Sequence, residues 1–147
     1  MSEQTRKLAT QLWQIQNDGL SAEQKDFFPW TENEFYQELF SPQHIIFLFE
    51  ENFSGFVLYR SLESEVEIMQ LSVSPKYKGN GIFLLEKFFK SLSLGKSKIE
   101  RIFLEVSEKN SPALKCYRHV GFEEISRRAR YYKDGSSAIV MQKRIGL

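Results

Sequence analysis

A carboxylate, Glu105, ends the apolar run "FLEV", and twelve residues later a phenol, Tyr117, stands in a segment with helical spacing. A carboxylate in that place can take a proton from an amine, directly or through water. An α-amino group has a pKa of about 8, so a modest base is enough to free its lone pair. A phenol can hand a proton to a departing group, and a thiolate with a pKa near 8.5 needs only a weak acid beside it. In parallel or mixed sheets, ligand sites gather outside the carboxyl ends of central strands. Glu105 lies at such an end, Asn110 follows just before the next helix, and Tyr117 comes about two turns into it. Structural duty alone, a strand-end Glu and a helix-buried Tyr, accounts for the same pattern and stays open at this point.

A second chemical signal is "SPKYKGNGI", between a strand and an amphipathic helix. Two glycines one residue apart let the backbone turn tightly and point successive N–H groups outward. The helix N-terminus behind them adds partial positive charge, which suits a pyrophosphate, and Lys76 and Lys78 add to that field. The loop lacks the third glycine of a dinucleotide fingerprint and the Gly-Lys-Ser/Thr of a P-loop. A solvated turn with capping glycines is the plain alternative.

These residues need a frame. Leu8, Leu12 and Ile15 recur at helical spacing, predicting a helix over 6–17. "FFPWTENEFYQELF" predicts a turn and a second helix, with Thr31 and Glu34 as a capping box. "HIIFLFEE", "SGFVLYRS" and "EVEIMQLSVS" predict three strands with short polar connections. "IFLLEKFFKSLSL" pairs apolar residues on one helical face. "KIERIFLEVS" predicts a strand in mid-sheet. "SPALKCYRHV" predicts a helix with Ser111 as N-cap, Pro112 at N1 and Gly121 as the stop. "EEISRRARYY" and "SSAIVMQK", around "KDGS", predict a hairpin with an Asp-Gly turn. The order gives an α/β fold with a mixed central sheet, read as a single domain over residues 1–147.

With 147 residues, 41% hydrophobic and 27% charged, the chain can bury a working core. A formal net charge of +1 gives no general reason to expect nucleic acid or membrane as partner. One cysteine, Cys116, cannot form an internal disulfide and fits a cytoplasmic setting. His44, His119 and Cys116 show no metal-ligand spacing, so no metal is expected. The start lacks a signal peptide's apolar core, and no run reaches the roughly 20 apolar residues of a membrane span.

The glycine loop, "LEV", the Asn-x-x-Ala-x-x-x-Tyr pattern "NSPALKCY" and the closing "GF" together resemble the GNAT superfamily of acetyl-CoA-dependent N-acetyltransferases. Within it, "FFPW" before an acidic helix, "VSP", and Arg128, Tyr131 and Tyr132 are similar to the RimI-like ribosomal-protein-alanine N-acetyltransferases. The resemblance runs from about Leu12 to Met141 and is most specific from Glu105 to Phe122. It implies the GNAT fold and acetyl-CoA as co-substrate. Pyrophosphate would be bound by Lys78, Gly79, Asn80, Gly81 and Ile82, and pantetheine and acetyl lined by Leu71, Ser72 and Val73. Asn110 would contact the cofactor. Glu105 matches the general base and Tyr117 the general acid of a direct transfer through a ternary complex. Trp30, Tyr131 and Tyr132 would form the slot for a protein N-terminus, with a ribosomal protein among the candidate acceptors and the enzyme a monomer.

The chain departs from the pattern in places. The family loop is Q/R-x-x-G-x-G/A; counting without gaps makes Lys78 its first position, whereas counting from the apolar helix face makes it Lys76, the preferred register. Lys replaces Gln or Arg in both. "GSSAIVM" lacks the acidic residue that close relatives carry before "A-I", and the start is short for the family's first strand. A GNAT enzyme acting on a small amine or a lysine, a non-catalytic acyl-CoA-binding domain, and a nucleic-acid binder drawn from "RRARYYK" are the competing readings.

Overall fold

The computed structural model describes residues 2–19, 30–41, 44–48, 55–74, 80–95 and 98–145. Lys76, Lys78, Gly79 and the "FFP" before Trp30 lie outside them. Helix α1 (Ser2–Gly19) buries Ala9, Leu12 and Ile15 as one stripe. Helix α2 (Glu32–Leu39) opens with the expected capping box, Thr31 and Glu34 each accepting from the other's backbone N–H. Strands β1 (His44–Leu48), β2 (Gly55–Leu62) and β3 (Glu65–Val73) form an antiparallel meander. Helix α3 (Asn80–Leu94) crosses over to β4 (Arg101–Ser107), parallel to β3. Helix α4 (Ser111–His119), β5 (Glu123–Arg128) and β6 (Ala138–Arg144) complete a six-stranded mixed sheet in the order β1-β2-β3-β4-β6-β5. No described helix is long and apolar enough to cross a membrane.

Each face of the sheet carries its own core. Val57, Ile68, Leu104 and Met141 pack with Leu85 and Phe88 of α3 and Tyr117 of α4. Phe56 and Leu58, from the opposite face of β2, pack with Leu12 of α1 and Phe35 of α2. Strand β2 is therefore buried on both faces, as a central strand must be. A Cβ at Gly55 would stand 3.0 Å from the Ser72 carbonyl oxygen and 3.3 Å from Leu84 Cδ2, so glycine lets β2 pass tightly under α3. Arg60 of β2 donates from Nε and Nη2 to the two carboxylate oxygens of Glu38, both at 2.8 Å, tying α2 to the sheet.

Three expectations change. The α3 helix starts at Asn80, not Ile82, so Gly81 sits inside its first turn rather than in the preceding loop. The α4 N-cap is Asn110, not Ser111: its Oδ1 accepts from the Ala113 N–H at 3.3 Å, since a carboxamide reaches the N3 donor from that position. Finally, β5 stops at Arg128 and β6 resumes at Ala138, so a nine-residue loop replaces a tight Asp-Gly hairpin. The Asp-Gly pair still turns the chain, with Gly135 at φ +85, but inside that loop. Tyr131 and Tyr132 consequently leave the ladder.

Candidate active site

The parallel β3–β4 ladder pairs only Glu65–Ile68 with Arg101–Leu104. Both strands run on, β3 to Val73 and β4 to Ser107, without pairing to each other. At the same height the β2–β3 register slips: Tyr59 faces Ile68 and Leu58 faces Gln70, leaving Met69 as the extra residue of a bulge. A bulge adds local twist and bends its strand, and here it turns β3 away from β4. The β3 edge that carries Leu71, Ser72 and Val73 thus faces the split with no ladder partner from β4. Buried backbone donors and acceptors need partners, so this edge is suited to an extended polar ligand.

Alternation along β4 decides where the acid points. Ile102, Leu104 and Val106 enter the core beneath α3 and α4, so Phe103 and Glu105 face the other way. There Glu105 lines a cleft of about 500 Å³ with Arg60, Glu67, Phe103 and Arg128. Tyr117, in contrast, is in the α3/α4 core, its ring 5.6 Å from that of Phe122. The acid and the phenol therefore lie on opposite faces of the sheet, and a ligand reaching both must occupy the split between β3 and β4. Burial pushes the Tyr117 phenol well above its ordinary pKa. Tyr117 is buried, and among the described residues none makes a hydrogen bond to its hydroxyl.

The helix ends meet nearby. A Cβ at Gly81 would stand 3.7 Å from Cys116 Sγ, so the first turn of α3 rests against α4 beside Tyr117. Burial raises the Cys116 thiol above its usual pKa, which keeps it protonated and a poor nucleophile. Ile82 packs against the same core. Asn110 is committed to its cap through Oδ1, so Asn110→Ala is expected to cost about 1 kcal/mol in a denaturant titration. Asn110→Asp or Ser should restore most of it.

Trp30 is half-buried against Phe35, ring centroids 5.2 Å apart, and its backbone is clamped by Gln16. Gln16 Nε2 donates to the Trp30 carbonyl at 2.8 Å, and the Trp30 N–H donates to Gln16 Oε1 at 2.9 Å. Sequence reasoning missed Gln16. The signal was a polar residue four places after Leu12, on the buried stripe, where an amide must find partners. Gln16→Leu is expected to lose about 2 kcal/mol of stability, read from the denaturant midpoint, because both Trp30 backbone groups lose their partner.

At the far side, Tyr131 is exposed and Tyr132 half-buried, their rings 5.1 Å apart. Burial, and then the Glu105 carboxylate, raise the Tyr132 phenol, which brings this loop within electrostatic reach of the acid. Asp134 braces the loop by accepting from the Ser136 N–H and hydroxyl, and these bonds hold its carboxyl down at about 2. The bracing is in force above the ordinary carboxylate range and is lost only as the pH falls towards that value. Of the "RRARYYK" cations, Arg127 pairs with Glu124 and Arg128 with Glu105.

Residues 9–122 match the Acetyltransferase (GNAT) family. The chain belongs to the GNAT acetyltransferase family. It is 31% identical over 128 residues to N-alpha-acetyltransferase RimI of Mycobacterium tuberculosis, covering 80% of this chain and 77% of that one. An N-alpha-acetyltransferase of Sulfurisphaera tokodaii is 31% identical over 94 residues, 63% of this chain but only 56% of the relative's length. Among solved structures, the ribosomal-protein-S18-alanine N-acetyltransferase of Escherichia coli superposes with a TM-score of 0.76 at 24% identity, over 95% of this chain and 88% of that one. The GNAT fold expected from the sequence is borne out. Acetyl-CoA is the co-substrate of this acyltransferase class, and the site fits it. The β3 edge that β4 leaves unpaired, the buried Tyr117 hydroxyl and the first turn of α3 are polar features that an acyl thioester with a long amide arm and a pyrophosphate would satisfy.

Proposed function

We propose that this chain acetylates the α-amino group of a protein N-terminus by direct attack within a ternary complex, as a single domain. The observation that carries the reading is the split between β3 and β4, with Glu105 open to a cleft on one face and the Tyr117 hydroxyl, without a hydrogen-bond partner among the described residues, buried on the other. Bound acetyl-CoA supplies an acyl thioester as the electrophile. Leu71, Ser72 and Val73 offer the free β3 edge to its amide arm, and one fixed N–H there stabilises charge on the carbonyl oxygen. The α3 N-terminus, with Asn80, Gly81 and Ile82 following Lys78 and Gly79, faces the pyrophosphate.

Glu105 takes the proton from the acceptor's ammonium, directly or through one water, and holds the freed amine in place. Tyr117 stays protonated at every working pH. Being a weaker acid than a thiol, it donates a hydrogen bond to the sulfur as charge gathers there and does not deliver its proton outright. Trp30, Tyr131 and Tyr132 flank the acceptor's entry. The names of the mycobacterial and archaeal relatives support an N-terminal acceptor, and a relative named for acetylating alanine on a ribosomal protein supports such an N-terminus as the acceptor.

The deciding experiment is thiol release from acetyl-CoA with three acceptors: a peptide with free N-terminal alanine, its N-blocked twin with an internal lysine, and small amines. Turnover of the free-alanine peptide alone supports the proposal. Turnover only of the lysine peptide or the amines overturns the acceptor assignment and keeps the chemistry.

A further inference from the structure

Arg128 closes the cleft in an unusual way. From the end of β5 its Nε reaches across β6 to Glu105 Oε1 at 3.1 Å. The contact is an ion pair with no well-aligned hydrogen bond beside it, and the arginine side chain remains 61% exposed against 25% for the glutamate. Its guanidinium carbon lies 5.8 Å from the Tyr131 ring centre, a loose second hold. The Arg60–Glu38 pair of the same sheet offers a contrast: two nitrogens at 2.8 Å on a carboxylate side chain only 11% exposed. That pair is built to stay, whereas the Arg128 contact is built to open.

An acceptor α-amino group is mostly cationic at neutral pH and has to reach the same carboxylate. The other described groups on this side offer it no better counter-ion. The cleft adds Glu67 from β3 and Arg60 from β2, β6 contributes Val140, and the loop brings Tyr131, Tyr132 and the braced Asp134. Its two other carboxylates lie away from Glu105: Glu63 is in the β2–β3 turn, and Glu65 pairs with Arg101 at the start of β4. Glu67 neighbours Arg60, so Glu105 is the carboxylate that the acceptor must win. Two cations on one carboxylate repel each other, so the guanidinium and the ammonium compete for it.

We infer that Arg128 is a resident cation that occupies the acceptor-ammonium position on Glu105 and competes with the substrate for it. The pair holds the base in place between turnovers and sets a threshold for entry. A cationic amine displaces Arg128, and an uncharged group does not. The inference rests on Glu105 being the base.

The test measures binding of a fluorescent peptide with free N-terminal alanine to the CoA-loaded enzyme by anisotropy, together with peptide KM and kcat. Arg128→Ala should bind the peptide about two- to fivefold more tightly and lower its KM by the same factor, the range an exposed ion pair supports. Arg128→Lys keeps a cation and should stay near the parent value. The N-blocked twin should bind equally to all three proteins. Unchanged or weaker binding by Arg128→Ala would overturn the inference, since an arginine that merely shapes the loop or contacts the acceptor cannot improve affinity when removed. Glu105→Gln separates the two failures. If it retains full kcat, the base assignment is wrong; if it is inactive while Arg128→Ala shows no gain, only the competition is wrong.

Discussion

Replacing Glu105 by Gln is expected to lower kcat by about 10²- to 10⁴-fold while KM for acetyl-CoA stays within about twofold. Gln keeps the shape and one oxygen that can still accept from Arg128, so the change removes the proton acceptor and little else. Stability should hardly move, because the ion pair is largely exposed on the arginine side and such pairs contribute little. The pH dependence gives a sharper check. Without a base, the enzyme can use only acceptor molecules already deprotonated in solution. Residual activity of Glu105→Gln should then rise about tenfold per pH unit up to the amine's own pKa near 8, and level off above it. A variant that keeps the parent rate, or whose loss is the same at all pH values, would remove Glu105 from this role.

How well the sequence foretold this site varies with the physics behind each residue. Local signals were legible: the Thr31–Glu34 box, the apolar stripe of α1 and the "FLEV" strand each express a short-range rule. Even so, the sequence alone does not choose the α4 cap, since Asn110 and Ser111 are adjacent good caps and only the backbone angles decide for Asn110. The Asp-Gly pair indicated a turn correctly, but could not show that pairing ends at Arg128 and Ala138. The Met69 bulge was invisible, because a register slip is a property of two strands and "EIMQLSV" alternates no differently with or without it. Yet that bulge opens the split on which the site depends. Likewise Glu105 and Tyr117 were recognisable as a chemical pair, whereas their separation onto two faces of the sheet emerges from the β4 pleat together with where α4 packs.

Tyr117→Phe brings those levels together, because stability and activity should move in opposite directions. A buried hydroxyl with no partner among the described residues has lost its water without compensation, so deleting it should leave the fold unchanged or more stable by up to about 1 kcal/mol. The ring contact with Phe122 survives, and the volume hardly changes. Activity should nevertheless fall about 10²-fold, the loss typical of removing one preorganised donor from a site of developing charge. Thermal unfolding and thiol release on the same preparation check both halves. The parent should also show no loss of activity from Tyr117 ionising below about pH 10, since burial has moved that phenol upward. Should the variant be less stable and fully active, the hydroxyl is a structural group with a partner in the folded protein, and the donor to sulfur must be sought elsewhere along the split. A more stable protein that turns over slowly would mean the opposite: the fold keeps this oxygen at a thermodynamic cost because the reaction uses it.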